Sequence, residues 1–184
     1  MDEKNEELEK YQKRLDVLLY SDSPDIFANY SQCHARRIIR TFFSAAEKSI
    51  VCLSGDFGAG VYSETEIENE LREAVRRGVR VTVISLGTGD ESRGHLRALK
   101  QELDEIGKNG RNGSFEYKLG VVRDPNAEVQ HYMIVDGKRY RLETPHPVPV
   151  TDDVHAEVCC NGKVKAAVLA RDFSDVWNRL SFPR

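Results

Sequence analysis

The chain has 184 residues and carries 27 lysines and arginines against 30 aspartates and glutamates, a formal net charge of −3 at pH 7. This charge argues against non-specific electrostatic attraction to nucleic acid, so we expect nucleic acid to be an unlikely partner. No apolar run approaches the roughly 18 residues that a membrane span needs, and the acidic N-terminus lacks a signal-peptide core, which predicts a cytoplasmic protein that does not act at a membrane.

The first thirty residues are predicted to form a helical extension. Apolar side chains at helical spacing run along residues 3–20, and Ser21-Asp22-Ser23-Pro24 then breaks the helix. We therefore divide the chain into an extension, 1–30, and one main domain, 31–184. The helix could pack on its own domain, contact a partner protein or contact a second copy of the chain.

A β-α-β unit opens the main domain. An amphipathic helix over about 31–48 leads into the continuously apolar strand Ile50–Leu53. The sequence 63–66 is a capping box that predicts a second helix, which Gly78 ends. Residues 79–84 then form a strand, and the two strands of such a unit run parallel.

Two glycine-containing loops, 54–62 and 87–93, follow the carboxyl ends of these two strands. Neither loop fits the dinucleotide or P-loop glycine pattern. Ligands nevertheless bind at this edge of open α/β sheets, where helix N-termini favour anions. One interpretation is that these loops bind a small anionic ligand. The other is that they are two turns that use glycine for their geometry. The candidate ligand contacts are Asp56, Tyr62, Thr88, Arg93, His131 and Glu143.

The remainder predicts a mixed sheet with helices on both faces, an α/β fold. The next predicted elements are a helix carrying Leu96, Leu99, Leu103 and Ile106, a strand over 115–119 and a hairpin over 128–143. A proline-containing extended segment over 144–150 follows. The chain then forms a strand pair over 154–160 and 163–168 that turns at Asn161-Gly162, and it ends with a helix around Phe173–Leu180.

The hairpin carries the most informative pattern. Asp136-Gly137 supplies hairpin-turn chemistry, because glycine tolerates positive φ. Strict alternation would place Val129, His131 and Met133 on one face of the first strand.

Three histidines, His131, His146 and His155, lie in or after this hairpin, and Glu143 lies among them. They could form a proton-transfer pair or a metal site. The spacings are long and the prolines could separate the residues, so we expect no metal and no cofactor. The four cysteines show no zinc-ligand spacing and are expected to be buried free thiols.

From Asp136-Gly137 the hairpin resembles the HKD phospholipase D superfamily, whose motif is H-x-K-x4-D followed by Gly-Ser/Thr-x-Asn. Counting back from Asp136, the motif aspartate, puts Val129 at the nucleophilic histidine and His131 at the phosphate-binding lysine. Glu143-Thr144-Pro145-His146 stands at the second element without matching it. In another register His131 is the nucleophile, Met133 replaces the lysine, and the aspartate comes two residues early.

The resemblance implies a phospholipase D-like fold over roughly residues 31–182. In that family a histidine attacks phosphorus, and a single-motif chain obtains its second histidine by dimerising. Valine cannot attack, so we expect a catalytically inactive, dimeric ligand-binding or regulatory module that is not an enzyme. The alternative is a divergent phosphodiesterase or nuclease that uses His131 with His146 or His155.

Overall fold

Seven strands form one mixed sheet in the order β1-β7-β6-β5-β2-β3-β4. The computed structural model describes residues 3–86, 89–122, 124, 126–147 and 154–181. The strands are β1 (Ile26–Asn29), β2 (Ser49–Ser54), β3 (Arg80–Ser85), β4 (Ser114–Leu119), β5 (Tyr132–Val135), β6 (Arg139–Glu143) and β7 (Ala156–Cys159). The helices are α1 (Glu3–Tyr20), α2 (Gln32–Ser44), α3 (Thr65–Arg77), α4 (Asp90–Asn109) and α5 (Lys163–Arg179).

Helices cover both faces of this sheet, which confirms the predicted α/β class. Helices α1 to α4 bury Leu15, Phe42, Leu71 and Leu99 in the core on one face. Helix α5 buries Leu169 and Phe173 in a second core on the other face, against Tyr132 and Ile134 of β5. Because β5 contributes to both cores, all four of its residues are buried.

The predicted β-α-β unit is present, and β2, β3 and β4 run parallel. The remaining pairings are antiparallel. Following the pairings across the sheet, β1, β6, β2, β3 and β4 all end at one edge, which we call the site edge. The antiparallel strands β5 and β7 begin there. Loops after five strands therefore meet the starts of two others at the site edge.

The prediction of a strand over residues 163–168 is wrong, because this segment is the first part of α5. Asn161-Gly162 looks like a hairpin turn, but Gly162 instead caps the start of the helix. Ala166, Leu169 and Phe173 are buried at spacings of three and four. This helical period outweighs the β-branched residues of the segment. Strand β7 pairs with β6 and β1 instead.

The segment predicted as an extension, 1–30, contributes to the same sheet as the main domain. Its residues Ile26–Asn29 form β1, the edge strand paired with β7. Four residues are too short for a recognisable alternation in sequence. Leu15 of α1 is fully buried, and the Tyr11 hydroxyl donates to the backbone carbonyl of Ala28 at 3.2 Å.

Two local details differ from the sequence expectation. The Ser63 side chain donates to the Gly60 carbonyl within a short 3₁₀ helix, so it does not cap α3. Helix α2 ends at Ser44 instead of continuing to about residue 48.

In the loop before α3, Gly58 packs closely on Ser92. A Cβ at position 58 would lie 2.4 Å from the backbone oxygen of Ser92.

Among the residues described, no helix combines the length and the apolar character that crossing a membrane requires.

Candidate functional site

The site edge gathers polar side chains from three strands. His131 immediately precedes β5, Glu143 ends β6, and Asn29 ends β1. The backbone N–H of Glu143 donates to the carbonyl of His131 at 2.9 Å, which fixes the two residues beside each other. His131 and Glu143 are both predicted ligand contacts, and the folded chain brings them together.

The prediction that Val129 lies on the same strand face as His131 is wrong. Strand β5 begins only at Tyr132, and Val129 forms an isolated bridge with His146. Val129 packs against the core under α5, together with Tyr132. Residues 130 and 131 lie outside the strand, so the alternation that would put Val129 and His131 on one face is broken.

A buried ion pair lies beside His131. The Arg141 guanidinium donates from Nη1 to Oε1 of Glu143 and from Nε to the Asn29 side-chain oxygen at 2.9 Å. The Arg141 side chain is 5% exposed and that of Glu143 15%. Burying two charges is costly unless they are paired and hydrogen-bonded, and here each charge has both.

His146 completes the cluster from the other side of Glu143. Its Nε2 lies 2.8 Å from Oε2 of Glu143, and its Nδ1 lies 2.9 Å from the backbone carbonyl of Pro147. The His146 and His131 ring centroids are 4.5 Å apart. We call His131, Arg141, Glu143 and His146 the edge cluster.

The edge cluster sets the charge of each member. Burial lowers the pKa of His131 to about 4, so this imidazole is neutral near pH 7. The hydrogen bond to Glu143 raises the pKa of His146 above its ordinary value. Burial alone would raise the pKa of Glu143, but the His146 hydrogen bond and the Arg141 charge outweigh it and lower that pKa to about 2.

Tyr62 is the next predicted ligand contact. It stacks on Phe57 with ring centroids 4.5 Å apart, and its hydroxyl accepts a hydrogen bond from the Cys52 thiol at 3.5 Å. Burial raises the pKa of Tyr62 well above its usual value, and Arg141 and Glu143 lie close enough to influence it. The Cys52 thiol is held neutral, because burial raises its pKa to about 12.

The other predicted contacts lie along the site edge beyond β2. The Asp56 carboxylate accepts from the Ser92 hydroxyl and from the backbone N–H of Gly58 at 2.9 Å, so it braces the loop. Arg93 is partly buried, and its Nε has no hydrogen-bond partner in the part of the chain described. Thr88 lies outside the described residues.

The His155 side chain packs on Tyr30. Its ring lies edge-on against Tyr30, with centroids 5.5 Å apart, and its side chain is exposed. Of the predicted histidines, His131 and His146 are therefore the pair whose rings are in contact.

Asp136 lies at the opposite edge of the sheet from His131. Its carboxylate accepts the backbone N–H groups of Lys48 at 2.8 Å and Ser49 at 3.1 Å, and the Arg139 guanidinium at 2.7 Å. These bonds hold the turn between α2 and β2. Asp136 and Gly137 both have positive φ, as the predicted hairpin turn requires.

Sequence reasoning missed Arg141 and Asn29. The alternation Arg139-x-Arg141-x-Glu143 was the available signal for Arg141, because it places three charged residues on one face of a strand. Asn29 lies in β1, which the sequence did not predict, so its contact with Arg141 depends on the fold alone.

No protein-family model matches the sequence, and no curated protein matches it either. Among solved structures, the chain is similar to Nuc from Salmonella typhimurium, a phospholipase D family member, with 20% identity and a TM-score of 0.63 over 88% of this chain and 99% of Nuc. It is also similar to NucT from Helicobacter pylori, with 12% identity and a TM-score of 0.56 over 86% of this chain and 100% of NucT.

A third similar structure is TrmBL2, an archaeal chromatin protein with a novel mode of DNA binding. The identity is 16% and the TM-score 0.60, over 97% of this chain and 65% of TrmBL2. The similarities to Nuc and NucT show that this chain has the phospholipase D-like fold, which confirms the resemblance inferred from the sequence.

The similarity to TrmBL2 corrects one expectation. We predicted from net charge that nucleic acid is an unlikely partner, and this prediction is wrong as an exclusion, because a DNA-binding protein shares the fold. Net charge sums over the whole surface, whereas binding depends on charge at the contact surface.

Proposed function

We propose that this chain is a non-catalytic phospholipase D-like domain that binds a small ligand at the site edge and acts as a regulatory module. The observation that carries the proposal is the environment of Val129. It stands at the motif position of the nucleophile, and it is chemically inert and packs, partly buried, against the α5 core.

The charges of the edge cluster support the same proposal. His131, at the motif position of the lysine, is neutral near pH 7 and supplies no fixed positive charge for a phosphoryl group. Glu143 adds a buried carboxylate where the family has glycine, and it already binds Arg141. A phosphodiester bound here would face the negative charge of Glu143 and not the positive charge of a lysine.

The cluster nevertheless keeps features of a binding site. Buried polar groups cost stability unless they are satisfied, and this set lies at the edge where α/β sheets bind ligands. The ligand contacts in the proposal are Tyr62, His131, Glu143 and, along the edge, Asp56 and Arg93. A small anion is the proposed ligand class, and the proposal assigns Arg141 and Arg93 as the cations that attract it.

The test is hydrolysis of bis(p-nitrophenyl) phosphate by the purified chain. We expect no turnover above that of the His131→Gln variant, because the chain has no nucleophile at the motif position. His155→Gln, which changes an exposed histidine, controls for non-specific effects. Turnover that His131→Gln abolishes and His155→Gln preserves would overturn the non-catalytic function.

That contrary result would support the second candidate, a divergent phosphodiesterase or nuclease. The specific observation in its favour is the contact between the His131 and His146 rings, 4.5 Å apart between centroids. Two imidazoles so close could divide the roles of nucleophile and general acid.

We also propose that the functional unit is a homodimer that contacts its partner copy through α1. The motif occurs once, and α1 leaves Val17 and Tyr20 largely exposed. Light scattering should give twice the chain mass, and the double variant Val17→Asp/Tyr20→Asp should give the monomer mass. A wild-type monomer at high concentration would contradict this proposal.

The proposed location is the cytoplasm. All four cysteines are free thiols in the structure, including the neighbouring Cys159 and Cys160, which suits a reducing compartment.

A further inference from the structure

His131, Glu143 and His146 form a set of potential metal ligands that their sequence spacing does not suggest. Each offers one ligand atom, and these atoms all lie within 4.8 Å of one another. Segment 144–146 does not separate the residues, because the backbone of His146 pairs with Val129 through bonds of 2.9 and 3.2 Å. Two imidazoles and one carboxylate are a common ligand set for zinc and related ions.

His131 is a buried imidazole whose Nδ1 faces Glu143. Its side chain is 5% exposed, and its Nε2 has no hydrogen-bond partner in the part of the chain described. Its Nδ1 lies 4.0 Å from Oε2 of Glu143, beyond hydrogen-bond distance. Buried polar atoms without partners are rare, and a bound ion is one of the recognised reasons for them.

His146 is held as metal-binding imidazoles usually are. One ring nitrogen, Nδ1, bonds the backbone carbonyl of Pro147 at 2.9 Å, the kind of outer contact that orients a ligating histidine. The other, Nε2, points at Oε2 of Glu143 at 2.8 Å. With acceptors at both nitrogens the ring carries two protons, and a metal ion at Nε2 would take the place of one of them.

Arg141 leaves the required carboxylate oxygen free. It binds Oε1 of Glu143, whereas Oε2 faces both histidines. The positive charge of Arg141 weakens the attraction of the site for a cation. With a divalent ion bound, Arg141 and the ion together would carry more positive charge than Glu143 neutralises.

We propose that His131, Glu143 and His146 bind one divalent transition-metal ion, for which Zn²⁺ fits the ligand set best. Binding releases one proton from Nε2 of His146 to solvent. Three protein ligands leave a coordination position open. With Arg141 and the ion together outweighing Glu143, a small anion is the favoured fourth ligand; this last step rests on the proposed ligand-binding function.

The test uses the full chain without a histidine tag, stripped with EDTA and dialysed. Zn²⁺ binding is measured by calorimetry, and Co²⁺ binding by the visible absorption of a low-symmetry, nitrogen-ligated ion. We expect one ion per chain. His131→Gln and His146→Gln should each weaken binding by more than about 100-fold, since even an outer contact is worth about 10- to 100-fold. His155→Gln should bind as the wild type does.

His146 is less central to the core than His131, so its variant remains informative if His131→Gln does not fold. Urea unfolding in EDTA verifies the folding of each variant. Absence of stoichiometric binding, or binding that both His131→Gln and His146→Gln retain, would overturn the metal site.

The open position is tested by adding azide to the Co²⁺ form. A shift of the visible spectrum is expected, and an unchanged spectrum would refute the fourth-ligand step. If the metal-loaded chain hydrolyses bis(p-nitrophenyl) phosphate, the metal site stands and the non-catalytic function fails. If the chain binds no metal and hydrolyses nothing, the metal site fails and the proposed function stands.

Discussion

Replacing Asp136 by asparagine is expected to lower the free energy of unfolding by about 3–5 kcal/mol, the range for breaking a buried ion pair. The carboxylate is 7% exposed and accepts from Arg139, whose side chain is buried as well. It also accepts the N–H groups of Lys48 and Ser49 at the turn into β2. An amide cannot neutralise Arg139, so the variant leaves a buried charge without compensation.

Urea unfolding of both proteins measures this difference, and the melting temperature should fall by roughly 10 °C for a chain of this size. Asp22→Asn is the matched control. Asp22 also has positive φ and also pairs with a hairpin residue, Lys138, at 2.6 Å. Its side chain is 41% exposed, so we expect a loss below about 1 kcal/mol. Equal losses in the two variants would refute a structural role for the buried carboxylate.

Acidification from pH 6.5 to pH 4 is expected to remove about 3 kcal/mol of stability through His131 alone. Burial lowers the pKa of this imidazole from 6.5 in the unfolded chain to about 4. In this pH range the unfolded state binds a proton that the folded state does not. Stability therefore falls as pH falls towards 4, and it rises as pH rises to 6.5.

The other edge-cluster groups act at different pH values. The raised pKa of His146 contributes stability below pH 6.5 that is lost above its folded pKa. The lowered pKa of Glu143 contributes stability above pH 4.5 that is lost as pH falls towards 2. The interval from 6.5 to 4.5 therefore isolates His131 within the cluster.

Urea unfolding in EDTA at several pH values checks the prediction. The stability of His131→Gln should depend less steeply on pH in this interval than that of the wild type. His155→Gln serves as the control and should keep the wild-type slope. A His131→Gln curve parallel to the wild-type curve would show that the burial of His131 has no such effect.

The fold class followed from local patterns in the sequence. The β-α-β unit, the turn at Asp136-Gly137 and most helices depend on periodicity and turn chemistry, which neighbouring residues encode. The spacing from Asp136, together with the order of helices and strands around it, pointed to the phospholipase D-like fold.

The candidate site was only partly predictable. His131 and Glu143 could be named because the motif and the sheet edge point to them. Arg141 was missed, although its alternation with Glu143 was visible. Asn29 gave no signal, since a four-residue edge strand is defined by its pairing with β7 and not by its own pattern.

By itself the sequence determined the layered α/β architecture and the hairpin turn. Only the tertiary structure decided that Val129 packs against the α5 core, that residues 163–168 are helical, and that His131, Glu143 and His146 meet. The physical reason is the range of the interactions. Periodicity and turns are local, whereas strand register, strand ends and buried charge pairs depend on residues far apart in the chain.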